Sequence, residues 1–484
     1  MTLGTLLRAL DRTDTGIRLI DAEEVHTSWA ELGARLRGNA LHFAALGVRP
    51  GDRVAVHLKE DLEHVVTALA LVGLGAVPLS LKPPRGRADA GELAALDALL
   101  ARYGARFSAG SVAERPGVRA LRWDPAANSD DLGVLADPSP ADIAFVQFSS
   151  GSLGDPKAVP IRHESLVDNA LALARIDGRG PDSIGGCVVP LCHDMGWIGV
   201  LSCLVHQHAA NVVATQRFLR RPLAFLASMP VCHTLAMPDF LLRYLDRALR
   251  DRAGRVPPGL LGRLRTVFCG SEPIRRDTVA GFLEAAVPHG FDPQALVFSY
   301  GLAESTLVAT ARRFDTLEGA FTGHVARVGT PIPGMALRLQ DGTVRLRGPS
   351  VFSGYLDAPP LPDGWHDTGD AGRFDGGELC ITGRIDDCIV LHGENLFPAD
   401  IEAHAERIEG VSACVALSHG DGFSLYLVAP DADPAAVSAS VAARFGSAPL
   451  AVVCGPRSGI QRTTSGKPRR RQMLAALREQ GAVP

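Results

Sequence analysis

The sequence lacks both a charge imbalance and a cysteine pattern that would assign it to a specialised class. Lys and Arg number 49 against 53 Asp and Glu, a net charge of -4. Such a chain has no overall attraction to nucleic acid or to an anionic membrane. Its nine cysteines contain no C-x-x-C pair, which argues against a zinc knuckle or a redox pair. Their odd number, without an apolar secretion signal, favours reduced thiols and a cytoplasmic location.

Long apolar runs and repeats are missing as well. The uncharged stretch from Val65 to Leu81 is shorter than a membrane span, and Gly73, Gly75 and Pro78 interrupt it. We interpret it as a buried helix that continues into a strand, and we predict no membrane span. A chain of 484 residues is long enough for two or more domains.

The first half of the chain alternates helical and strand-like segments. Residues 53–58 predict a strand, 63–75 a helix and 76–81 a strand, which together indicate a strand–helix–strand unit with a buried parallel sheet. The same alternation predicts further strands at 141–149, 185–191, 264–270 and 295–301, and further helices at 94–104 and 163–176.

The sequence pattern changes after about Pro331, where short segments of alternating apolar and polar residues predict a smaller β-rich part. The last hundred residues predict two helix–strand alternations and then a basic tail. We therefore predict an α/β protein. A large N-terminal domain of several subdomains with mixed sheets would span residues 1–385, and a small mobile α+β domain would span 386–484.

One segment has the composition of a phosphate-binding loop. Ser149 to Lys157 follows a predicted strand and supplies small hydroxyl residues, glycines and one lysine. Exposed backbone N–H groups with a single positive charge suit a phosphate, although the spacing is not that of a Walker loop. A Ser/Gly surface turn is the ordinary alternative.

Four later segments place polar residues in turns. Tyr300 and Glu304 follow an apolar strand, where Tyr could stack on a base and Glu could hold Mg²⁺. Asp370 lies in a Gly-containing turn that suits ribose hydroxyls, and Arg384 could contact ribose or phosphate. Lys467 lies in a Ser/Gly turn ahead of three arginines. Each has an ordinary structural interpretation, as a helix cap, an Asx turn, a surface arginine or a solvated basic tail.

Together, these segments resemble one family over nearly the whole chain. It is the adenylate-forming superfamily of acyl-CoA synthetases, adenylation domains and luciferase, and the branch most similar is the fatty acyl-AMP ligases. The segments that carry the resemblance are Ser149–Lys157, Arg162–Asn169, Val189–Gly199, Tyr300–Glu304 and Gly393–Glu402.

The resemblance implies a role for each matching residue. The phosphates of ATP would be bound by Ser149, Ser150, Gly151, Ser152, Gly154 and Lys157. Adenine would be held by Gly270, Ser271, Glu272, Pro273 and Tyr300. Glu304 would bind Mg²⁺, Asp370 the ribose, and Arg384 ribose or phosphate. Asp386 would be the hinge of the C-terminal domain, and Lys467 would stabilise charge as the carboxylate attacks the α-phosphorus.

The implied acyl pocket includes His193, Trp197 and Gly301. Trp197 stands where the branch often has an aliphatic residue, so either it shapes a short or flat pocket or it is ordinary core packing. Ala303 stands where much of the superfamily has Thr. Between Ser305 and Gly329 there is no room for the extra insertion of fatty acyl-AMP ligases, which leaves CoA open as an acceptor.

The sequence thus predicts an ATP- and Mg²⁺-dependent ligase that activates a carboxylic acid and loads a carrier-protein thiol. An acyl-CoA or aryl-CoA ligase is the alternative, followed by adenylation of another oxyacid such as nitrite. A non-catalytic nucleotide-binding relative would need few of the five residues Lys157, Glu304, Asp370, Arg384 and Lys467. A nucleic-acid binder built on Arg469–Arg471 conflicts with the acidic balance of the chain.

Overall fold

The computed structural model describes residues 1–21, 24–59, 61–83, 90–110, 115–149, 156–178, 180, 182–228, 232–252, 254, 256–391, 394–419, 422–462 and 468–484. Its helices are α1 (Leu3–Arg8), α2 (Trp29–Ala45), α3 (Leu62–Gly73), α4 (Ala90–Arg102), α5 (His163–Asp177), α6 (Asp194–Val205), α7 (Thr215–Arg220), α8 (Pro222–Ser228), α9 (Asp239–Asp251), α10 (Arg276–Ala286), α11 (Leu317–Ala320), α12 (Pro398–Ala405), α13 (Pro434–Phe445) and α14 (Arg470–Glu479).

The strands up to the middle of the chain are β1 (Gly16–Ile20), β2 (Glu24–Ser28), β3 (Arg53–His57), β4 (Val77–Ser80), β5 (Ala105–Gly110), β6 (Arg119–Ala120), β7 (Ile143–Ser149), β8 (Lys157–Arg162), β9 (Ile184–Cys187), β10 (Ala209–Val213), β11 (Thr234–Ala236), β12 (Thr266–Cys269) and β13 (Leu296–Tyr300). The later strands are β14 (Thr310–Arg313), β15 (Phe321–Thr322), β16 (Val325–Ala326), β17 (Thr330–Pro331), β18 (Ala336–Gln340), β19 (Thr343–Arg347), β20 (His366–Asp375), β21 (Glu378–Arg384), β22 (Ile389–Leu391), β23 (Glu394–Leu396), β24 (Ala413–Ser418), β25 (Phe423–Val428) and β26 (Val452–Cys454).

Two large sheets form the N-terminal part. One has the order β6-β5-β3-β4-β7-β8 and is parallel except for the hairpin of β7 and β8. The other has the order β17-β14-β13-β12-β11-β9-β10-β1-β2, with parallel strands from β13 to β1 and antiparallel strands at both edges. One continuous apolar core extends through both, as expected when helices cover parallel strands.

A four-stranded antiparallel meander, β18 to β21, follows the second large sheet. Beyond it, β24 to β26 form a small sheet against which α12 and α14 pack. Residues between Ile389 and Val452 share an apolar cluster separate from the N-terminal core. This last part contacts the N-terminal part through the ion pairs Arg275–Glu406 and Arg407–Asp277, the latter with 2.9 Å between Nε and Oδ2.

The predicted fold class is confirmed by the mixed α/β architecture. The strand–helix–strand unit predicted from residue 53 onward is β3, α3 and β4, and its strands are parallel as predicted. The strand predicted at 185–191 is shorter than expected, because pairing ends at Cys187 and Pro190 has no N–H to donate. The division at residue 386 stays a prediction.

Part of the predicted basic tail lies in a helix, α14. Arg470 begins helix α14 and lies against two carboxylates, with 2.8 Å from its Nη2 to Glu402 Oε1 and 3.6 Å from its Nη1 to Asp387 Oδ2. Its side chain is 18% exposed. Arg470 is therefore paired within this part of the chain, whereas its neighbours Arg469 and Arg471 are exposed. Within the described residues, no helix has the length and apolar character needed to span a bilayer.

Three buried histidines should make stability depend on pH. Burial lowers the pKa of His57, His64 and His163 from 6.5 to about 4. Between about pH 6.5 and pH 4 the unfolded chain binds protons that the folded chain does not, so the stability present above pH 6.5 is lost as pH falls. The loss is roughly 3 kcal/mol for each histidine over the full window. We expect Tm to fall between pH 7.5 and pH 5.

Replacement of His163 tests this pH dependence directly. The Nδ1 of His163 accepts a hydrogen bond from the backbone N–H of Leu3 at 3.2 Å, which protonation would break. Asn at this position places an amide oxygen near Nδ1 and cannot be protonated, so His163→Asn should flatten the fall of Tm. The same change at the exposed His26 should leave it unaltered. An identical pH dependence in wild type and His163→Asn would contradict this interpretation.

Candidate active site

The predicted phosphate-binding segment is the tip of the hairpin of β7 and β8. Ser149 and Lys157 are direct cross-strand partners, so the residues between them form the connection. Ser150, Gly151, Ser152 and Gly154 lie outside the described residues. The Lys157 Nζ lies 4.9 Å from the centroid of the Tyr355 ring, over its face. This cation–π contact holds the ammonium group over the Tyr355 ring.

Tyr355 connects Lys157 to Glu304. The Tyr355 hydroxyl donates a hydrogen bond to Glu304 Oε1 at 2.8 Å. Burial, and then the charge of Glu304, raise the pKa of Tyr355 well above its ordinary value, so the phenol remains a donor. Glu304 itself is 6% exposed and lies in the single 3₁₀ turn Ala303–Ser305 after β13. The three residues form one group, the Lys157–Tyr355–Glu304 cluster.

The chain around Glu304 is held in an unusual conformation. A Cβ on Gly301 would lie 1.8 Å from the Leu307 carbonyl oxygen, so only glycine fits there. Thr306 has a φ of 68°, which is strained for a β-branched residue. Asn169 of α5, with no exposed surface, donates to the Val308 carbonyl at 2.9 Å and accepts from the Val308 N–H at 3.2 Å. This clamp fixes where Glu304 can lie.

A second group forms where β13 meets the antiparallel meander. The Tyr300 hydroxyl donates to Asp370 Oδ2 at 2.7 Å, and Arg384 Nη1 donates to Asp370 Oδ1 at 3.1 Å. Asp370 and Arg384 face one another because they are paired residues of β20 and β21. Arg384 Nη1 also donates to the Thr368 carbonyl at 2.8 Å. We call these three residues the Tyr300–Asp370–Arg384 cluster.

Burial dominates the electrostatics of this second cluster. It raises the pKa of Tyr300 well above its ordinary value, and the charge of Asp370 acts in the same direction. For Arg384 burial lowers the pKa, but the carboxylates of Asp370 and Asp386 outweigh it and the net shift is upward. The phenol therefore stays protonated and the guanidinium charged, so that both donate to Asp370.

Phe352 joins the two clusters, because its ring centroid lies 4.9 Å from those of both Tyr355 and His366, and His366 is in β20 with Asp370. Burial lowers the pKa of His366, the carboxylates of Glu304 and Asp370 oppose that shift, and Lys157 adds to it. The charge of Arg384 likewise acts on Tyr355. The site thus places a lysine, an arginine and two carboxylates around one region at the carboxyl ends of the parallel strands, where ligands bind in open α/β sheets.

The predicted adenine-binding turn, Gly270 to Pro273, follows β12. A Cβ on Gly270 would lie 2.6 Å from the Ser299 carbonyl oxygen, and Ser271 has a φ of 66°. The Glu272 side chain accepts from the Phe240 N–H at 2.6 Å, and burial, then Asp239, raise its pKa. Glu272 therefore joins this turn to the start of α9, and the predicted contact with adenine stays a prediction.

A cavity with about 770 Å³ of empty space, part of it open to solvent, lies between α6 and the nine-stranded sheet. Gly301 and Ser271 line it at the end near the two clusters. Trp197 and His193 are not among its lining residues. Trp197 is 3% exposed and packs on His64, with 5.6 Å between ring centroids. Of the two interpretations of Trp197, this burial favours core packing, and the place of Trp197 and His193 in the acyl pocket stays a prediction.

Of the predicted hinge and the predicted catalytic lysine, the structure describes only the hinge residue, Asp386. Asp386 lies in the 3₁₀ turn after β21 with its side chain 47% exposed, 3.8 Å from the Arg471 guanidinium. Lys467 lies outside the described residues. Both roles stay predictions. Within the described residues no three His, Cys, Asp or Glu side chains are grouped as a metal site would require.

Sequence reasoning missed Tyr355, His366 and the clamp made by Asn169. Tyr355 lies in a loop of small and polar residues that gives no strand or helix signal. Asn169 is in a segment whose resemblance to the family was noted, but the contact it makes joins residues 139 positions apart. Such pairs are seen only in a structure. An asparagine among the apolar positions of a predicted helix is nevertheless a signal in the sequence, because a buried amide needs hydrogen-bond partners.

The fold and these clusters define the class of an adenylate-forming ligase, and comparison with known proteins agrees. Long-chain-fatty-acid–AMP ligase FadD26 of Mycobacterium marinum (strain ATCC BAA-535 / M) is 30% identical over 543 residues, covering 94% of this chain and 92% of that protein. A protein of Caulobacter vibrioides (strain NA1000 / CB15N), whose name proposes acyl-CoA synthetase activity, is 30% identical over 467 residues, covering 84% and 81%.

A solved structure from a study of fatty acyl-adenylate ligases of E. coli and L. pneumophila superposes with a TM-score of 0.88. The two share 25% sequence identity over 99% of this chain and 98% of the other. Residues 8–356 match the family described as AMP-binding enzyme, and the chain belongs to that family.

The Asn169 clamp gives a test of how the site is held. Asn169→Asp keeps the shape but replaces the donor to the Val308 carbonyl with a buried carboxylate oxygen. We expect a loss of roughly 2–4 kcal/mol in stability, seen as a lower Tm, with faster amide exchange at residues 301–309. Asn128→Asp, at an exposed position, should change neither. Unaltered exchange in the Asn169 variant would contradict the clamp.

Proposed function

We propose that this ligase uses ATP to convert a carboxylic acid to an acyl-AMP, releasing pyrophosphate, and then transfers the acyl group to a carrier-protein thiol. The observation that carries the proposal is the adjacency of the two clusters. One supplies an aromatic ring, a carboxylate and a guanidinium, and the other supplies an ammonium and a carboxylate. A nucleoside triphosphate needs those groups in that order along its length.

The Tyr300–Asp370–Arg384 cluster suits the nucleoside end. Tyr300 and the turn from Gly270 would enclose adenine, which presents a flat face for stacking. Each oxygen of Asp370 has more than one lone pair, so the carboxylate that accepts from Tyr300 and Arg384 can also accept from ribose hydroxyls. Arg384, fixed by Asp370, keeps donors for a ribose or phosphate oxygen.

The Lys157–Tyr355–Glu304 cluster suits the phosphate end. Lys157 is the charged group at the base of the predicted phosphate loop and would neutralise the departing pyrophosphate. A single buried carboxylate such as Glu304 fits a Mg²⁺ ion that takes its other ligands from phosphate and water, as this ion usually does. Bound there, Mg²⁺ would supply charge neutralisation on the phosphate oxygens.

The first half-reaction follows from these positions. A carboxylate oxygen of the acid attacks the α-phosphorus, the bond from that phosphorus to the bridging oxygen breaks, and pyrophosphate leaves. Two anions must approach one another, so the contribution of the protein is orientation and positive charge. Lys467 would supply charge between the carboxylate and the α-phosphate.

The second half-reaction needs room for an acceptor. A thiolate attacks the carbonyl carbon of the acyl-AMP, the bond from that carbon to the phosphate oxygen breaks, and AMP leaves. Rotation of the C-terminal part about Asp386 would withdraw Lys467 and admit the thiol. The ion pairs Arg275–Glu406 and Arg407–Asp277 join the two parts and would have to separate in that motion.

Replacement of Lys467 tests the first half-reaction. Lys467→Ala should lower ATP–pyrophosphate exchange on the order of 10²–10³-fold, with ATP binding little changed, since the lysine acts as charge develops. Arg469→Ala removes a nearby exposed positive charge and should leave exchange near the wild-type rate. Equal exchange in the lysine variant and wild type would remove Lys467 from the mechanism.

Replacement of Asp370 tests the nucleoside end. Asp370→Asn keeps the shape but removes the charge that Arg384 neutralises and one acceptor for ribose. We expect ATP affinity, measured by calorimetry, to fall by about 10- to 100-fold. Asp367→Asn, three residues away in β20 and half-exposed, is the matched control. Undiminished affinity in Asp370→Asn would contradict the assignment.

The decisive experiment for the function is ATP–pyrophosphate exchange with a panel of fatty, aryl, keto and amino acids and nitrite, followed by acceptor tests. Exchange with a carboxylic acid and thioester on phosphopantetheinyl carrier protein would support the whole proposal. If the thioester forms with free CoA and not with the carrier protein, the acceptor in the proposed second half-reaction is CoA. Absence of exchange across the panel with ATP bound would contradict it.

A further inference from the structure

One wall of the cavity is helix α6, and several of the α6 residues that line it have small side chains. Met195, Gly199, Ser202 and Cys203 line it. Their spacing of three and four residues puts them on one face of the helix. The Ser202 hydroxyl donates to the Gly199 carbonyl at 2.7 Å, so it is satisfied within the helix. The wall that faces a ligand is therefore mostly apolar.

Gly199 is the residue in this wall that calls for an explanation. A Cβ built on it would meet no atom within 4 Å. A Cβ on Gly196, in the same helix, would lie 2.2 Å from the Pro190 carbonyl oxygen, so packing requires that glycine. Glycine in a helix interior is unfavourable relative to alanine. Since neither packing nor backbone requires it at 199, the missing side chain widens the cavity.

The far end of the cavity is closed at two points. The Cys203 Sγ lies 2.5 Å from where a Cβ on Gly185 would be, so α6 rests directly on β9 there. The Thr234 hydroxyl donates to Asp177 Oδ2 at 2.5 Å, which joins β11 to the end of α5. The start of α6 lies at the end of the cavity near the two clusters, where the Ser271 hydroxyl is 4.0 Å from Met195 Sδ. From Met195 to Cys203, the ~1.5 Å rise per helical residue gives a depth of about 12 Å.

We propose that this ligase selects short acids with a broad apolar tail, ring-bearing or branched, with Gly199 setting the width of the pocket and Cys203 on Gly185 setting its depth. The inference rests on the proposed acyl-AMP formation. An extended tetradecanoic acid is about 16 Å long at roughly 1.3 Å per carbon–carbon bond, too long for the slot. Its end would also meet the polar Thr234–Asp177 pair.

The test measures dissociation constants of acyl sulfamoyl-adenosines, which mimic acyl-AMP without turnover. The acyl groups are butanoyl, 3-phenylpropanoyl, octanoyl and tetradecanoyl. Wild type should bind the phenylpropanoyl analogue at least about tenfold more tightly than the tetradecanoyl one. Gly199→Leu should weaken the phenylpropanoyl analogue by about tenfold or more and change the butanoyl analogue little. The milder Gly199→Ala should shift the same way with Tm at or above the wild-type value.

A substitution at the closed end of the cavity, where Cys203 lies against Gly185, should change the preferred length of the acyl chain. Cys203→Ala removes the sulfur that rests on Gly185 and should improve binding of the octanoyl analogue severalfold relative to butanoyl. Gly281→Ala, in helix α10, and Cys414→Ala, buried in the C-terminal cluster, are the matched controls and should leave the ranking unaltered.

Tighter binding of the tetradecanoyl than of the phenylpropanoyl analogue by wild type would overturn the inference, as would an unaltered ranking in Gly199→Leu. Exchange assays with the corresponding free acids separate this from the proposed function. Analogue binding in the expected order without any exchange would keep the pocket assignment and contradict the activity. Exchange with tetradecanoic acid alone would keep the activity and overturn the pocket assignment.

Discussion

The site depends on one partly buried carboxylate, that of Asp370, whose side chain is 15% exposed and is held between the Tyr300 hydroxyl and the Arg384 guanidinium. These three residues belong to β13, β20 and β21, so the contact joins the edge of the parallel sheet to the antiparallel meander. A buried carboxylate without partners would be costly, and here a phenol and a guanidinium satisfy it. The orientation of Arg384, and with it the proposed position of the nucleoside, depends on this contact.

The Lys157–Tyr355–Glu304 cluster also combines a tyrosine, a carboxylate and a positive group. Tyr355 donates to Glu304 and offers its ring to Lys157, so one aromatic side chain orients an anion and a cation. His366, whose pKa responds to Glu304, Asp370 and Lys157, lies between the clusters. Each positive group is thus paired or stacked before any ligand arrives, which limits the reorganisation needed when a triphosphate binds.

Much of the site could be predicted from the sequence because it follows strand ends. Ser149 and Tyr300 are the last residues of β7 and β13, and Gly270 directly follows β12. An apolar run that ends in a Gly or Ser turn can be recognised without a structure. Asp370 and Arg384 were found through resemblance, and their pairing followed only from the register of β20 and β21.

What could not be predicted depends on contacts between distant segments. Tyr355 reaches Glu304 across 51 positions, and the clamp by Asn169 reaches across 139. Trp197 was ambiguous from sequence because a helix with apolar residues on every side gives no periodicity to tell core from cavity wall. The floor formed by Cys203 on Gly185 arises from the packing of α6 against β9, which no local pattern records.

A crystal structure with a non-hydrolysable ATP analogue would show whether the two clusters form one nucleotide site. We expect adenine against Tyr300, the ribose hydroxyls on Asp370 and the terminal phosphates beside Lys157 and Glu304. Nucleotide bound elsewhere, or bound with Asp370 contacting Tyr300 and Arg384 but no ribose, would contradict it.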